Sequence, residues 1–290
     1  MARLKPLNDF IFQKLMGEQG SELELKSFLS AVLGRDLNEI TILENKSLTP
    51  EIIGDKTSIL DVRATTDNNT HINIEVQINP YKFMDIRSLF YWSKLYSVAL
   101  EAGDDYKKLP NVITINILDY KYDFIRLDKF HTAFHLWEDE ERYKLTEAIE
   151  IHFIEMLKFR KLSKKDIVND SLHRWLTFFD EQTEEELVKE LIEMDRAIQK
   201  ANNRLNFLSQ DKEFLHQAHL REIALSDFTT AMNDAKNEGK EEADKKAHAD
   251  KLDTSLKLIK RGLKIEDIAE DTGLSVDEIE KEAKKLKIIK

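Results

Sequence analysis

The feature that most constrains the fold is a pair of alternating segments on either side of a short polar turn. Apolar side chains occupy the even positions in residues 60–65 and again in residues 72–79. Strict alternation over this length is typical of β-strands that have one apolar face and one polar face. Because residues 67–70 form a polar turn between the two segments, we predict a β-hairpin that buries one face and exposes the other.

The alternation also determines how the two strands pair. Opposed residues of an antiparallel pair point to the same face, so even positions must lie opposite even positions. This requires a turn with an odd number of residues, of which residues 67–69 are the simplest choice, with Asn69 in the left-handed conformation. In this register Asp61 lies opposite Glu75, and Gln77 is a diagonal neighbour.

Two facing carboxylates have two interpretations. Like charges opposite each other destabilise a sheet unless a cation lies between them, and an oxygen-liganded ion such as Mg²⁺ meets that requirement. Such an ion holds a phosphate and lowers the pKa of an attacking water. The alternative is the solvated face of an ordinary amphipathic hairpin, in which Arg63 neutralises Asp61 and Glu75. The pattern alone leaves both interpretations open.

The segments after the hairpin predict a mixed α/β core with a helical extension. A long helix is expected over residues 81–102, ended by Gly103, and a helical pattern returns over residues 164–236. The predicted inward face of the long helix consists of Leu89, Trp92, Leu95, Tyr96 and Ala99. Three more strands are predicted, over residues 111–118, 130–137 and 148–156. We divide the chain into a core over 1–160, a helical extension over 161–232, a charged helical connector over 233–254 and a tail over 255–290.

The composition limits the chemistry and the partners. With 44 basic and 55 acidic side chains the net charge is −11, so binding to nucleic acid needs a local basic surface or a bound metal. The absence of cysteine excludes disulfides, thiolate zinc sites and cysteine nucleophiles. No apolar run reaches the roughly 18 residues of a membrane span, and no apolar signal core is visible. We therefore expect a cytoplasmic protein that makes no membrane contact.

Three other patterns have competing interpretations. His131 and His135 have a spacing that suits zinc on a helix, but their surroundings alternate like a strand. Residues 158–165 contain five basic side chains, which suit a phosphate backbone or a solvated connection. The tail has the spacing of a helix-turn-helix around Gly273, yet its second helix begins with acidic residues that phosphates repel. We favour a structural role for the first two and a protein contact, including a homo-oligomer contact, for the tail.

Glu75-Val76-Gln77, placed 14 positions after Asp61, resembles the metal-binding core of the PD-(D/E)xK nuclease superfamily. The wider pattern is similar to the Rpn-type branch of recombination-promoting, transposase-like nucleases. The similar segments lie in residues 7–15, 72–77, 87–96, 115–118 and 150–159, so the likeness covers about residues 1–235. The resemblance implies a restriction-endonuclease-like mixed sheet flanked by helices. It also implies a metal-dependent DNA endonuclease of low sequence specificity, linked to recombination or mobile-element processing.

By this resemblance, Asp61 and Glu75 would bind Mg²⁺, or Mn²⁺ in its place, with the backbone carbonyl of Val76 completing the shell. Gln77 replaces the superfamily's usual lysine and supplies no positive charge near the nucleophile. Arg87 matches an arginine of the branch and is the group that we expect to supply that charge.

Two other cations, Arg63 and Lys56, are alternatives to Arg87 for that role. The missing lysine and the acidic composition support a second interpretation of the chain. In that interpretation it is a noncatalytic DNA- or protein-binding module that keeps the nuclease fold.

Overall fold

The computed structural model describes residues 3–43, 61–98, 100 and 105–289. The chain divides into two compact units, Met1–Ala218 and His219–Lys290. Three residues named above, Lys56, Ala99 and Gly103, lie outside the described residues, as does Leu60, the first residue of the alternating segment 60–65. Within the described part of the chain, none of the helices combines the length and the apolar character that a membrane span requires.

A six-stranded mixed sheet forms the centre of the first unit as far as the structure describes it. Its strands in spatial order are β1 (Ile40–Leu43), β2 (Val62–Thr66), β3 (Thr70–Gln77), β4 (Asn111–Leu118), β6 (Ile149–Glu155) and β5 (His131–Phe134). The three central strands β3, β4 and β6 run parallel, whereas β1, β2 and β5 pair antiparallel with their neighbours. This mixed sheet with flanking helices confirms the predicted fold class.

The hairpin of β2 and β3 forms with the predicted register. Val62 pairs with Ile74, so one further step along the same register places Asp61 opposite Glu75. The turn residue Asn69 has a φ of 52°, which is the left-handed conformation expected for it. The alternation of apolar and polar residues was therefore sufficient to predict which carboxylates face each other.

One face of the sheet carries the main apolar core. The side chains at even positions of β2 and β3 and at odd positions of β4 point to this face. They pack against helices that precede and follow the strands in the sequence. These helices are α1 (Asp9–Met16), α2 (Glu22–Leu33), α5 (Ser171–Phe179), α6 (Glu185–Met194) and α7 (Arg196–Leu208). A short helix, α4 (Met156–Arg160), follows β6 directly and also contributes to this core. This face contains the larger of the two clusters of buried apolar residues in the unit, as far as the structure describes it, and burial of these side chains stabilises the fold.

The opposite face is covered by α3 (Met84–Ser97), which differs from the predicted helix in length and in orientation. Its buried residues are Met84, Ser88 and Tyr91, whereas Leu89 is 49% exposed. The predicted inward face was therefore only partly correct, because Leu89 is exposed, whereas Trp92, Leu95 and Tyr96 are half-buried and the Trp92 indole N–H donates to the Ala148 carbonyl at 3.1 Å. The physical reason is that this face of the sheet is partly apolar and partly polar: Met84 packs in a second apolar cluster with Leu118 and Phe153, and the Ser88 hydroxyl lies 2.9 Å from Oδ1 of Asn116.

This packing also corrects the prediction that the polar face of the hairpin is exposed. Asp61, Asn73 and Glu75 are each at most 3% exposed. The interpretation as a solvated hairpin face required water on these side chains. They are buried instead, and Arg87 of α3 contacts Glu75, so each buried charge needs a partner.

The second unit contains the predicted helix-turn-helix. Helix α8 (Lys212–Lys260) extends into this unit and is followed by α9 (Ile265–Thr272) and α10 (Val276–Lys285). Gly273 ends α9 with a φ of 69°, and the hydroxyl of Ser275 accepts a hydrogen bond from the Glu278 backbone N–H at 3.3 Å. Both features follow from the residue types, because glycine tolerates positive φ and serine caps helix N-termini.

Candidate active site

The candidate site lies between the hairpin and α3. Asp61 immediately precedes β2, and Glu75 occupies the facing position of β3. Because the two residues are opposed, their side chains point to the same face of the sheet, which is the face that α3 covers. Transfer of a carboxylate out of water is costly unless a cation or hydrogen bonds compensate its charge.

Arg87 supplies this compensation for Glu75. Its Nε and Nη2 atoms lie 3.0 and 2.8 Å from the same oxygen, Oε1 of Glu75. The guanidinium carbon lies 5.2 Å from the ring centre of Tyr81 and 4.9 Å from that of Tyr91. Aromatic faces attract cations, so these rings help to hold Arg87 beside the sheet.

The pKa values of Glu75 and Arg87 reflect two opposing effects, the burial of each group and the charge of its partner. Burial raises the pKa of Glu75, and the opposing effect of Arg87 does not cancel that rise. Burial alone would lower the pKa of Arg87, but the charge of Glu75, with a smaller contribution from Asp61, outweighs it and raises that pKa. Both carboxylates therefore act on one buried guanidinium.

Asn73 is a site residue that the sequence analysis did not single out. Its Nδ2 donates a hydrogen bond to Oδ2 of Asp61 at 3.3 Å. Since a carboxylate only accepts hydrogen bonds, this contact determines which end of the amide faces Asp61. The other end, Oδ1, is buried and accepts no hydrogen bond from the residues that the structure describes. The signal was present, because Asn73 is an odd position on the same strand face as Glu75.

Gln77 and Val76 lie at the end of β3, next to the carboxylates. The side-chain amide of Gln77 donates to the carbonyl of Asn79 at 3.2 Å, and not to either carboxylate. Val76 pairs with Ile117 of β4, so its backbone belongs to the parallel ladder.

Arg63, the expected neutralising group of the solvated-hairpin interpretation, lies opposite Asn73. Within the described residues the ion pair of Glu75 is with Arg87 and not with Arg63.

A second layer of polar contacts fixes α3 on the sheet. Asn116 of β4 lies beside Glu75 in the parallel register. The hydroxyl of Ser88 lies 2.9 Å from Oδ1 of Asn116, and Nδ2 of Asn116 donates to the carbonyl of His152 at 3.0 Å. These contacts anchor α3 to β4 at Ser88. Because Arg87 is the preceding residue of α3, the same anchor keeps its guanidinium beside Glu75.

The donor chemistry of the site fits a hard divalent cation. Asp61, Glu75 and the amide oxygen of Asn73 are oxygen donors of the kind that Mg²⁺ and Mn²⁺ prefer. Arg87 already places a positive charge against one of these donors. In the described part of the chain no group of three or more His, Cys, Asp or Glu side chains is arranged to hold a metal. A complete shell therefore needs amide, backbone or water oxygens in addition to the two carboxylates.

Of the two histidines whose spacing suits zinc on a helix, His131 lies on the other face of the sheet and His135 lies just beyond β5. His131 belongs to β5, as the strand-like alternation predicted. Its Nε2 lies 2.9 Å from Nδ1 of His152, and Nε2 of His152 lies 2.9 Å from Oε1 of Glu150. The contacts of His131 are therefore those of a buried hydrogen-bond chain.

The basic run over residues 158–165 is mostly engaged within the fold. Lys158 donates to Glu155 at 2.6 Å and to two backbone carbonyls. Arg160 bridges Asp119 and Asp180. The first part of the run is therefore not the expected solvated connection, because residues 158–160 lie in α4 and both Lys158 and Arg160 form ion pairs.

Comparison with known families identifies the chain. The family described as PD-(D/E)XK nuclease family transposase matches residues 6–235, which is most of the 290-residue chain. No curated protein and no solved structure matched the chain. The matched region contains all six described strands and every residue of the candidate site. The chain belongs to the PD-(D/E)XK nuclease family transposases, and its mixed sheet has the restriction-endonuclease-like form expected of that family.

Proposed function

We propose that the protein is a Mg²⁺-dependent DNA endonuclease of low sequence specificity that acts in recombination or mobile-element processing. The observation that supports this most is the juxtaposition of Asp61 and Glu75 at facing positions of a hairpin, in a chain of a nuclease family. These two carboxylates would hold the ion, with the Val76 carbonyl as a further donor and Mn²⁺ as a substitute. When bound, such an ion activates water and stabilises the charge of a phosphodiester transition state.

The chain's own residues have distinct roles in this proposal. Asn73 orients Asp61 through its hydrogen bond, and Arg87 supplies the positive charge that Gln77 lacks. Gln77 contributes only a neutral amide at the end of β3. Because both carboxylates are buried, this proposal requires that a DNA strand displaces the groups that cover them.

A noncatalytic DNA- or protein-binding module is the second candidate function. The burial of Asp61 and Glu75 and the ion pair with Arg87 favour it, since a satisfied and sealed pair needs no metal. For the second unit we propose a protein contact, because the first turn of α10 carries Asp277 and Glu278, which phosphates repel. Light scattering of the purified chain tests whether that contact is a homo-oligomer.

Nicking of supercoiled plasmid DNA in Mg²⁺ tests the leading proposal. Asp61→Ala should reduce the nicking rate at least about 100-fold, because it removes a metal ligand and the charge that holds the ion. Asp67→Ala is the matched control, since Asp67 lies exposed in the turn of the same hairpin and should leave the rate unchanged. Equal nicking by wild type and Asp61→Ala removes Asp61, and with it the facing pair of carboxylates as a joint metal site, from the mechanism. Absence of nicking by the wild type under all metal conditions supports the noncatalytic module.

A further inference from the structure

The contact between Arg87 and Glu75 has an unusual geometry for a catalytic site. Two nitrogen atoms of the guanidinium approach a single oxygen of Glu75, at 3.0 and 2.8 Å. The side chain of Arg87 is only 17% exposed, so water screens its charge weakly. Tyr81 and Tyr91 lie within 5.2 Å of the guanidinium carbon and restrict it to this position.

A divalent ion at the carboxylates and this guanidinium compete for the same oxygen. Oε1 of Glu75 already accepts from two donors of Arg87, and a metal ligand needs that electron density. Two positive charges held within a few ångströms of each other in a buried site also repel strongly. The contact of Arg87 with Oε1 of Glu75 therefore opposes the binding of a divalent ion at the same oxygen.

We propose that Arg87 is the resident counter-cation of the candidate active site, and that a divalent ion binds there by displacing it from Glu75. This inference rests on the proposed function for the identity of the competing ion. The displaced guanidinium remains on α3, above the same face of the sheet. A phosphate group of the DNA can then pair with the guanidinium. Displacement therefore moves the positive charge of Arg87 from the carboxylate of Glu75 to the substrate.

The proposal gives Arg87 opposite effects on two measurable quantities. Removal of its charge should tighten metal binding, because the ion no longer has to replace a cation. The same change should slow DNA cleavage, because no guanidinium is then available for the phosphate. A residue that only supports the fold would weaken both, since a loosened site loses metal affinity as well as activity.

The chain provides a matched control on the other face of the sheet. Arg35 forms an ion pair of 2.8 Å with Glu150, which is 5% exposed. Glu150 occupies an even position of β6, whereas the neighbours of Glu75 across the sheet are Asn116 and Phe153. Arg35→Met therefore breaks an arginine–glutamate pair on the other face of the sheet, whose arginine is 50% exposed, without touching the candidate site.

Calorimetric titration of the full-length chain with Mn²⁺ at pH 8 tests the proposal. Arg87→Met should bind Mn²⁺ about tenfold more tightly than the wild type or more, whereas Arg35→Met should bind it as the wild type does. Arg87→Lys, which keeps the charge but not the planar fork, should lie between Arg87→Met and the wild type. Asp61→Asn combined with Glu75→Gln defines the background. In nicking assays Arg87→Met should be at least about tenfold slower, with partial recovery in Arg87→Lys.

The outcomes separate this proposal from the proposed function. Tighter Mn²⁺ binding by Arg87→Met supports displacement. If the wild type binds Mn²⁺ above background but Arg87→Met binds it equally or more weakly, Arg87 is not a competing cation, and the nuclease proposal stands without it. If Arg87→Met is less well folded, Arg87→Gln decides, because it also removes the charge and unchanged affinity in a folded Arg87→Gln overturns displacement. If neither the wild type nor any variant exceeds background, both proposals fail together.

Discussion

At the residue scale, the chemistry depends on polar side chains that a helix has sealed against the sheet. Asp61 and Glu75 are positioned by strand pairing, but Asn73 and Arg87 determine what each carboxylate contacts. The rule that odd positions of one strand lie opposite odd positions of the other was enough to predict that Asp61 faces Glu75. It also placed Asn73 on the same face, but only the three-dimensional contact shows that its amide is committed to Asp61.

The role of Asn73 leads to a prediction about metal affinity. Asn73→Leu removes the hydrogen bond to Asp61 and the amide oxygen, so we expect Mn²⁺ binding to weaken about tenfold in a calorimetric titration. Thr114→Val is the control, because Thr114 is the buried neighbour of Asn73 on β4 and its hydroxyl lacks a described partner. Equal affinities of Asn73→Leu and wild type would show that Asp61 needs no such orientation.

At the scale of elements, the error in the predicted face of α3 has a physical explanation. The helical pattern was judged by its apolar residues, which suits a helix that packs on an apolar sheet face. Here the sheet presents Glu75 and Asn116, so Ser88 and Arg87 turn inward and Leu89 remains exposed. Sequence periodicity predicted the hairpin register and five of the six described strands, but not β1. It predicted the buried face of α3 only in part, because the composition of the partner surface decides which helix face is buried.

The position of the hairpin also depends on a close approach to α1. A Cβ atom on Gly17, which follows α1, would lie 2.9 Å from the Gln13 carbonyl oxygen and 3.0 Å from Cγ2 of Val62. We expect Gly17→Ala to lower the free energy of unfolding by about 1–3 kcal/mol, measured by chemical denaturation. Gly239→Ala is the opposite case, since no atom lies within 4 Å and the residue is helical. It should stabilise by about 0.5 kcal/mol, and a loss of stability there would contradict the argument.

The edge formed by β5 and β6 predicts sensitivity to acid. Burial and the nearby His152 lower the pKa of His131 from 6.5 to about 4. Burial alone would raise the pKa of Glu150, but hydrogen bonds from His152 and Arg35 outweigh it and hold that pKa at about 2. Both folded pKa values lie below the unfolded ones, so the unfolded chain binds more protons as the pH falls. The stability from His131 is complete above about pH 6.5 and is lost towards pH 4, and that from Glu150 is lost between about pH 4.5 and pH 2.

Denaturation curves at several pH values measure this dependence. In His131→Gln the loss of stability between pH 6.5 and pH 4 should become smaller, because no buried imidazole then resists protonation. His216→Gln, at an exposed position of α8, should retain the wild-type dependence. An unchanged pH profile in His131→Gln would show that acid unfolding begins elsewhere.

At the scale of the whole molecule, the division into two units separates the candidate site from the tail. All described strands and all site residues belong to the unit Met1–Ala218, and the family match ends at residue 235. A chain of residues 1–235 should therefore keep Mg²⁺-dependent nicking within about threefold of the full-length rate, measured on the same plasmid. A folded but inactive 1–235 chain would show that the second unit contributes to the chemistry, contrary to this division.

The net charge of −11 makes bulk attraction to DNA unfavourable. The proposed nuclease activity therefore requires a divalent cation bound by Asp61 and Glu75. Anomalous diffraction from crystals soaked in Mn²⁺ measures this most directly. We predict one strong anomalous peak within ligand distance of Asp61 and Glu75, with Arg87 moved away from Glu75. A well-diffracting crystal in which Mn²⁺ binds only elsewhere, while the ion pair of Arg87 and Glu75 stays intact, would contradict the account.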